Sequence, residues 1–338
     1  MRRSRSNRRP HVLTLVGLAL ACGGPRAARA QSAPPVEGAA FLLIPVGARA
    51  AATGQAAMTD AGTSEAVFWN PAGLASLPHT ELAIHHSETF AGPGDAVVLA
   101  VPSARLGTFA IAGYIVDYGS FDVTPSEPGG GPPPGPVATA EVRNIALSAT
   151  YATPITKSIA AGIGYQLVQF RVDCSGDCSD VPPGVGTTQS VDAGAQLRLA
   201  SGRVVLGLAA RNIGFKLQVN NEAQADPLPA RLQGGVQWQV VPPPAGHDGF
   251  DVRAMADVRT GIGAGRWSPL LLLGLDAGVR SLVRLRAGYA FLDSEERGPS
   301  LGIGLQYASF AFDIARVFYE TSAIDGTQPM HLSLRLFF

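Results

Sequence analysis

The sequence predicts an all-β protein, a transmembrane antiparallel β-barrel of about 14 strands with an N-terminal plug segment. Three observations predict it. From Thr80 onward no window sustains apolar residues at the i, i+3, i+4, i+7 spacing of a helix, while alternation with a period of two recurs to the end. Of 338 residues, 40 are glycine, 26 are proline and 46% are hydrophobic, yet only 15% are charged, a mix foreign to soluble enzymes. The chain closes on Met330-His-Leu-Ser-Leu-Arg-Leu-Phe-Phe338, an alternating strand that ends in an aromatic residue.

Residues 1–30 read as a cleaved signal peptide. A basic stretch from Arg2 to Arg9 precedes an apolar run from Val12 to Ala21, and Ala28-Arg29-Ala30 stands before Gln31 as a small-x-small cleavage site. The apolar run falls well short of the roughly 20 residues that a spanning helix needs. Ala19 and Leu20 fit a lipoprotein motif at Cys22 poorly, and Pro10-His11 fits a twin-arginine signal at Arg8-Arg9 poorly, which leaves ordinary export. The leader holds seven arginines and no acid, so the rest carries 19 basic against 26 acidic side chains, a balance of −7. With Lys157 and Lys216 as the only lysines, that balance excludes nucleic acid as a partner.

Residues 31–79 form the expected plug segment, centred on Phe41 to Leu77. Arg49, Asp60 and Glu65 make it too polar for a membrane helix, and Pro45, Pro71 and its glycines break it into pieces too short for a long amphipathic helix. Asn70 and Pro71 suit a tight turn, with Asn capping the short segment that follows and Pro at its first position. Phe68 and Trp69 are expected to wedge against a barrel wall. Arg49, Phe68, Trp69, Asn70 and Pro71 are the candidate plug or gate residues, for which a purely structural turn is the alternative reading.

The barrel is expected over residues 80–338. Its segments begin near Glu81, Ala96, Thr108, Val142, Ile159, Gln189, Val204, Arg231, Phe250, Pro269, Leu282, Leu301, Ala311 and Met330. Many reach the roughly 9 to 11 residues that a tilted membrane strand requires. In Ser190 to Leu199, Val191, Ala193, Ala195, Leu197 and Leu199 share one face, and Asp192, Gly194, Gln196 and Arg198 the other. Phe250 to Arg259 repeats the scheme. If the first strand rises outward, the long connections (Pro125 to Glu141, Asp173 to Thr188, Asn220 to Leu228, Asp293 to Pro299, Glu320 to Pro329) are external. Short ones such as Pro154 to Lys157 and Ala308-Ser309 are then periplasmic, as outer-membrane barrels require. Pro242 to Gly249 is longer than that rule expects.

Few residues point to chemistry. Cys174-Ser-Gly-Asp-Cys178, in an expected external loop of an exported chain, suits a local disulfide; no second Cys or His pair accompanies it for a metal. His85 and His86 are adjacent in a strand and point to opposite faces. Gly261-Ile-Gly-Ala-Gly265 lacks the lysine and helix of a phosphate loop and reads as a turn. The inward charges, among them Asp192, Asp251, Arg253, Asp257, Arg259, Arg284, Arg286, Asp313 and Arg335, describe a mixed-sign lumen that either fixes the plug by ion pairs or is wet. No nucleophile with a base stands out, so no enzyme, cofactor or metal is expected.

Phe41-Leu-Leu-Ile-Pro-Val-Gly-Ala-Arg-Ala-Ala-Ala-Thr-Gly54, followed by Ala66-Val-Phe-Trp-Asn-Pro-Ala-Gly-Leu-Ala75, resembles the opening of the PorV/PorQ family of outer-membrane proteins. That family is similar in turn to FadL-type transporters of long-chain fatty acids and other hydrophobic solutes, which also carry an Asn-Pro-Ala element near the N-terminus. Thr53-Gly54-Gln55 departs from the Met-Gly-Gly common in the family. The resemblance implies a fourteen-stranded barrel in the outer membrane of a Gram-negative-type bacterium, with the N-terminal segment folded into the lumen. FadL-like members pass hydrophobic molecules through the barrel wall by way of a lumenal pocket, whereas PorV-like members carry cargo in type IX secretion. The implied partners are the lipid bilayer, the barrel assembly machinery, for which Phe338 looks like the recognition signal, and either a hydrophobic small molecule or a secreted protein.

Overall fold

Fourteen strands pair in sequence order, each antiparallel to the next, and the first pairs with the last to close a barrel. The structure, a computed structural model, describes residues 37–124, 135–179, 181, 184–218, 225–243, 249–263, 269–279, 282–291, 297–319 and 328–338. The expected leader and the first residues of the plug segment lie outside them, as do most of the long connection 242–249 and parts of the other long loops. The strands are β1 (Glu81–Thr89), β2 (Gly92–Ser103), β3 (Gly107–Val123), β4 (Ala138–Pro154), β5 (Ile159–Gly176), β6 (Gly184–Leu199) and β7 (Val204–Gly214). They continue with β8 (Arg231–Val241), β9 (Phe250–Gly261), β10 (Leu270–Val279), β11 (Val283–Phe291), β12 (Gly298–Tyr307), β13 (Phe310–Val317) and β14 (Met330–Phe337).

Closure runs in unbroken register from Glu81 opposite Phe337 to Glu88 opposite Met330. It satisfies backbone groups that an open sheet would leave exposed at its edges. Because neighbours alternate in direction, the turns at Ala104–Leu106, 155–158, 200–203 and 308–309 share one end with Glu81 and Phe338, hereafter the terminal end. Most of the longer connections gather at the other, the loop end; 242–249, between β8 and β9, is the long connection at the terminal end. No helix among the described residues is long and apolar enough to cross a membrane.

The two faces of each strand separate by chemistry. Asp192 and Gln196 on β6, Asp257 and Arg259 on β9, and His331, Ser333 and Arg335 on β14 are buried inside, while Val191, Val258, Leu334 and Met330 face out. Ile111, Leu147, Ile163, Leu208, Leu285, Leu301 and Ile303 are among the large apolar side chains left exposed around the outside. Exposed apolar surface on that scale marks a face that meets a membrane or another apolar partner.

Strands β2, β4 and β6 begin four or five residues before the alternation becomes visible. Their first residues include Gly92, Pro93 and Gly94, or Gly184 and Gly186, which carry no face pattern, yet their backbones still pair with Glu88 and Ser87 or with Val172 and Phe170. The expected loops 125–141 and 173–188 shrink accordingly. Cys174, at the end of β5, is disulfide-bonded to Cys178.

The described N-terminal residues before β1 contain two short helices, α1 (Ala48–Ala52) and α2 (Ala66–Trp69), flanked by 3₁₀ turns at Ala40–Leu43 and Pro71–Ser76. This segment lies inside the barrel, touching strands all round it. Met58 backbone meets Gly207 of β7, Pro71 meets Gly162 of β5, and Gly54 meets Gly288 of β11. Its contents explain its location: Phe41, Ala50, Ala52, Met58 and Leu74 are fully buried, which the segment's own length could not achieve without the wall.

Candidate functional site

The inner segment is held mainly by wall side chains that bind its backbone. Ser333 Oγ accepts the Ala48 N–H at 2.8 Å, Asp257 accepts the Met58 N–H at 3.0 Å, and Gln196 donates to the Met58 and Asp60 carbonyls at 3.1 and 2.9 Å. Gln233 donates to Gln55 O at 3.1 Å and Arg211 to Phe68 O at 2.7 Å. A short segment with little regular structure leaves many backbone groups unpaired, and a polar inner wall supplies their partners.

Asn70 joins segment to wall. Its Nδ2 donates to Met58 O at 2.7 Å and to Ala195 O of β6 at 3.2 Å, while its Oδ1 accepts the Ala72 N–H at 3.1 Å. The last bond caps the 3₁₀ turn, with Pro71 at the first position. Trp69 is buried, donates from Nε1 to Val46 O at 2.9 Å and lies beneath the Arg211 guanidinium, 5.0 Å from the ring centre. Phe68 meets His85 of β1 and Tyr114 of β3 edge-on, at 6.1 and 6.4 Å. Arg49 pairs with Asp60 of the same segment at 3.3 Å, not with the wall. Phe338 lies at the terminal end, its N–H bonded to Thr80 O at 2.9 Å.

Two cavities share the Leu43–Ile44 stretch as a common boundary. The outer one, about 280 Å³, sits at the loop end between Phe41, Pro45 and the side chains of Phe90, Tyr118, Tyr319 and His331. It exceeds the roughly 150 Å³ cavity that admits benzene in a protein core. The inner one is bounded by Leu42, Val46, Phe68 and Trp69 on the segment side and Tyr114, Gln166, Asp192, Arg211 and Asn212 on the wall side. Its free volume is only about 30 Å³, so it takes a solute only if the segment's apolar side chains move. The Tyr114 hydroxyl and Arg211 Nε at its rim have no hydrogen-bond partner, and buried polar groups in that state are rare.

A bulge puts Arg211 and Asn212 there. Between β6 and β7 the register shifts at Asp192, which takes the Asn212 N–H on its carboxylate at 2.7 Å in place of a ladder bond. Asn212 adopts φ 57°, and both it and Arg211 are buried although they are consecutive. A period-two reading cannot place two neighbours on one face, so the sequence pattern missed both. It missed Tyr114 for another reason: Ala110, Ala112, Tyr114 and Val116 face Phe109, Ile111 and Ile115, and two apolar faces do not say which is inside.

Nearer the terminal end, Asp276 of β10 lies between Arg253 of β9 and Arg286 of β11, its partners in register, at 2.6 and 3.2 Å, and takes a third bond from Arg284 at 2.6 Å. Asp313 of β13 joins Arg286 and Arg335 at 2.6 and 3.0 Å. The expected inward charges thus pair mostly among themselves. Glu65 of the inner segment is different: fully buried, with neither carboxyl oxygen partnered, it is raised to about 7 by burial, which outweighs the opposing pull of Arg49 and Arg335.

The sequence matches no protein-family model and no curated protein. The structure does have likenesses among solved ones. Against the toluene transporter TodX of Pseudomonas putida it gives a TM-score of 0.56 at 14% identity, covering 86% of this chain and 98% of that one. Against the Ralstonia pickettii toluene transporter TbuX the score is 0.54 at 12% identity, with 86% and 98% covered. A FadL homologue of Pseudomonas aeruginosa gives 0.52 at 13% identity, with 87% and 99% covered. At these identities the likeness is one of fold alone, and the fold in this chain is a closed barrel of fourteen antiparallel strands.

Proposed function

We propose that this protein is a non-enzymatic outer-membrane channel that passes small hydrophobic molecules, with residues 37–79 serving as a plug that the solute must displace locally. The observation that carries the reading is the pair of cavities divided by Leu43 and Ile44, the outer one largely apolar and the inner one apolar on the segment side with polar groups on the wall. Apolar pockets with a few polar groups are the usual form of a small-molecule site. A solute taken up at the loop end rests among Phe41, Phe90 and Tyr319, then passes the divide towards Phe68 and Trp69. Tyr114 and Arg211 offer hydrogen bonds to any polar atom that it carries. The outward apolar belt supports a membrane location, and the barrel fold shared with toluene transporters supports the solute class.

The resemblance to PorV/PorQ proteins keeps a carrier role in secretion as the competing reading, and one experiment separates the two. Cells that make or lack the protein are supplied with labelled toluene and a labelled long-chain fatty acid, and their culture fluid is analysed for exported proteins. The channel reading expects faster uptake of at least one solute and an unchanged set of exported proteins. Equal uptake with a loss of exported proteins would establish the carrier.

A further inference from the structure

A cavity of about 460 Å³ lies at the terminal end, apart from the two divided by Leu43 and Ile44. Five guanidinium groups line it: Arg49 from the inner segment, Arg253 from β9, Arg284 and Arg286 from β11, and Arg335 from β14. Among described acidic side chains, only Glu81 lines it. The carboxylates that balance these arginines stand behind them, Asp276 and Asp313 with only 3% and 2% of their side chains exposed. Asp60 and Asp251, paired with Arg49 and Arg284, do not line the cavity either, so the charges nearly cancel in number but not in position, and the wall presents its positive side.

The arginines also keep donors in reserve. A guanidinium carries five N–H groups, and Arg49 and Arg253 each donate only one side-chain bond, to Asp60 and Asp276. Arg253 and Arg284 are the more exposed members of the cluster, at 18% and 23%. Pro78, Phe337 and Phe338 supply an apolar part of the lining, and the Arg335 guanidinium lies 5.7 Å from the Phe337 ring.

The geometry assigns to this cavity a binding site for an oxyanion, the carboxylate or phosphate group of a small molecule whose apolar part rests on Phe337 and Phe338. Guanidinium forks match planar or tetrahedral oxyanions in shape as well as charge. Arg49 belongs to the inner segment and its neighbours to the wall, so a bound anion ties one to the other. The site rests on the cavity alone and stands whether or not hydrophobic solutes cross the barrel.

The test uses the full-length folded protein in a non-ionic detergent, with 4-fluorobenzoate followed by its fluorine resonance, 4-fluorotoluene as the neutral counterpart, and inorganic phosphate as competitor at matched ionic strength. Saturable binding of 4-fluorobenzoate is expected, undisturbed by 4-fluorotoluene and weakened by about tenfold or more in Arg284→Gln, with a smaller loss in Arg284→Lys. Asp276 keeps Arg253 and Arg286 in these variants, and a shift in gel mobility on heating confirms that the barrel has closed. Should Arg284→Gln fail that check, Arg253→Gln replaces it, since Asp276 then keeps Arg284 and Arg286. Competition by phosphate extends the site to oxyanions generally, and its absence restricts the site to carboxylates with an apolar body; both support it. No saturable binding, equal binding by the glutamine variant, or displacement by 4-fluorotoluene overturns the assignment.

Discussion

Asn70 makes three side-chain hydrogen bonds in a buried place, and each serves a different purpose: one caps the turn, one ties it to Met58, one ties it to the wall at Ala195. Removing the amide leaves two buried carbonyls and an N–H without that partner, at roughly 1–3 kcal/mol. The double variant Asn70→Ala with Pro71→Ala is therefore expected to fold, keep its apolar anchors and change both solute uptake and single-channel conductance in planar bilayers. Parent values in both measurements would make the turn a purely structural element. Glu65 yields a second prediction at this scale. Its carboxyl keeps its proton up to about pH 7 in the folded protein, against an ordinary value of 4.5. Between those values the folded state binds more protons than the unfolded one, so Glu65 makes stability fall as pH rises from about 4.5 to 7 and adds no slope above. The span corresponds to roughly 3 kcal/mol. Glu65→Gln should flatten that part of the apparent melting curve against pH relative to the parent; an identical slope would contradict it.

At the scale of elements, the match between inner segment and wall depends on missing side chains. A β-carbon on Gly288 of β11 would collide with the backbone of Thr53 and Gly54, and neither can yield without moving the segment. Gly288→Ala is expected to loosen the segment, measured as faster amide exchange over residues 48–60 while the strands keep their protection; unchanged exchange would refute the contact. Strand β14 closes the barrel along its whole length, so deletion of Phe338 should slow insertion if the C-terminal aromatic is the assembly signal. Normal barrel yield at normal expression would dismiss that role. Elements differ in how far they could be read from the sequence. Strands β6, β9 and β14 were legible because Asp192, Asp257 or Arg335 alternates with apolar residues, and Asn70-Pro71 was legible because Asn and Pro have few other reasons to stand together before a helical turn. Arg211 and Asn212 were not, since a bulge is set by pairing with β6. The cavity boundary at Leu43 and Ile44 was hidden too, because a run of apolar residues does not reveal which of them touch empty space.

At the scale of the molecule, the sequence separates three environments that the closed sheet then keeps apart: an apolar exterior, a polar and charged wall, and an inner segment with large apolar side chains on the loop-end side. Phe41 and Val46 of that segment pack with Tyr114 and Val116 of β3, whereas α1 packs on β11 to β14 through small alanines next to the arginine and aspartate network. The barrel thus has an apolar side and a charged side, and the proposed solute path follows the first. The most direct test of that path is uptake of labelled toluene and labelled fatty acid by cells carrying Leu43→Trp with Ile44→Trp, a change that fills the boundary between the two cavities and touches no hydrogen bond of the wall. With heat-dependent gel mobility confirming a closed barrel, the account predicts that uptake falls to the level of cells lacking the protein. Uptake equal to the parent would contradict it.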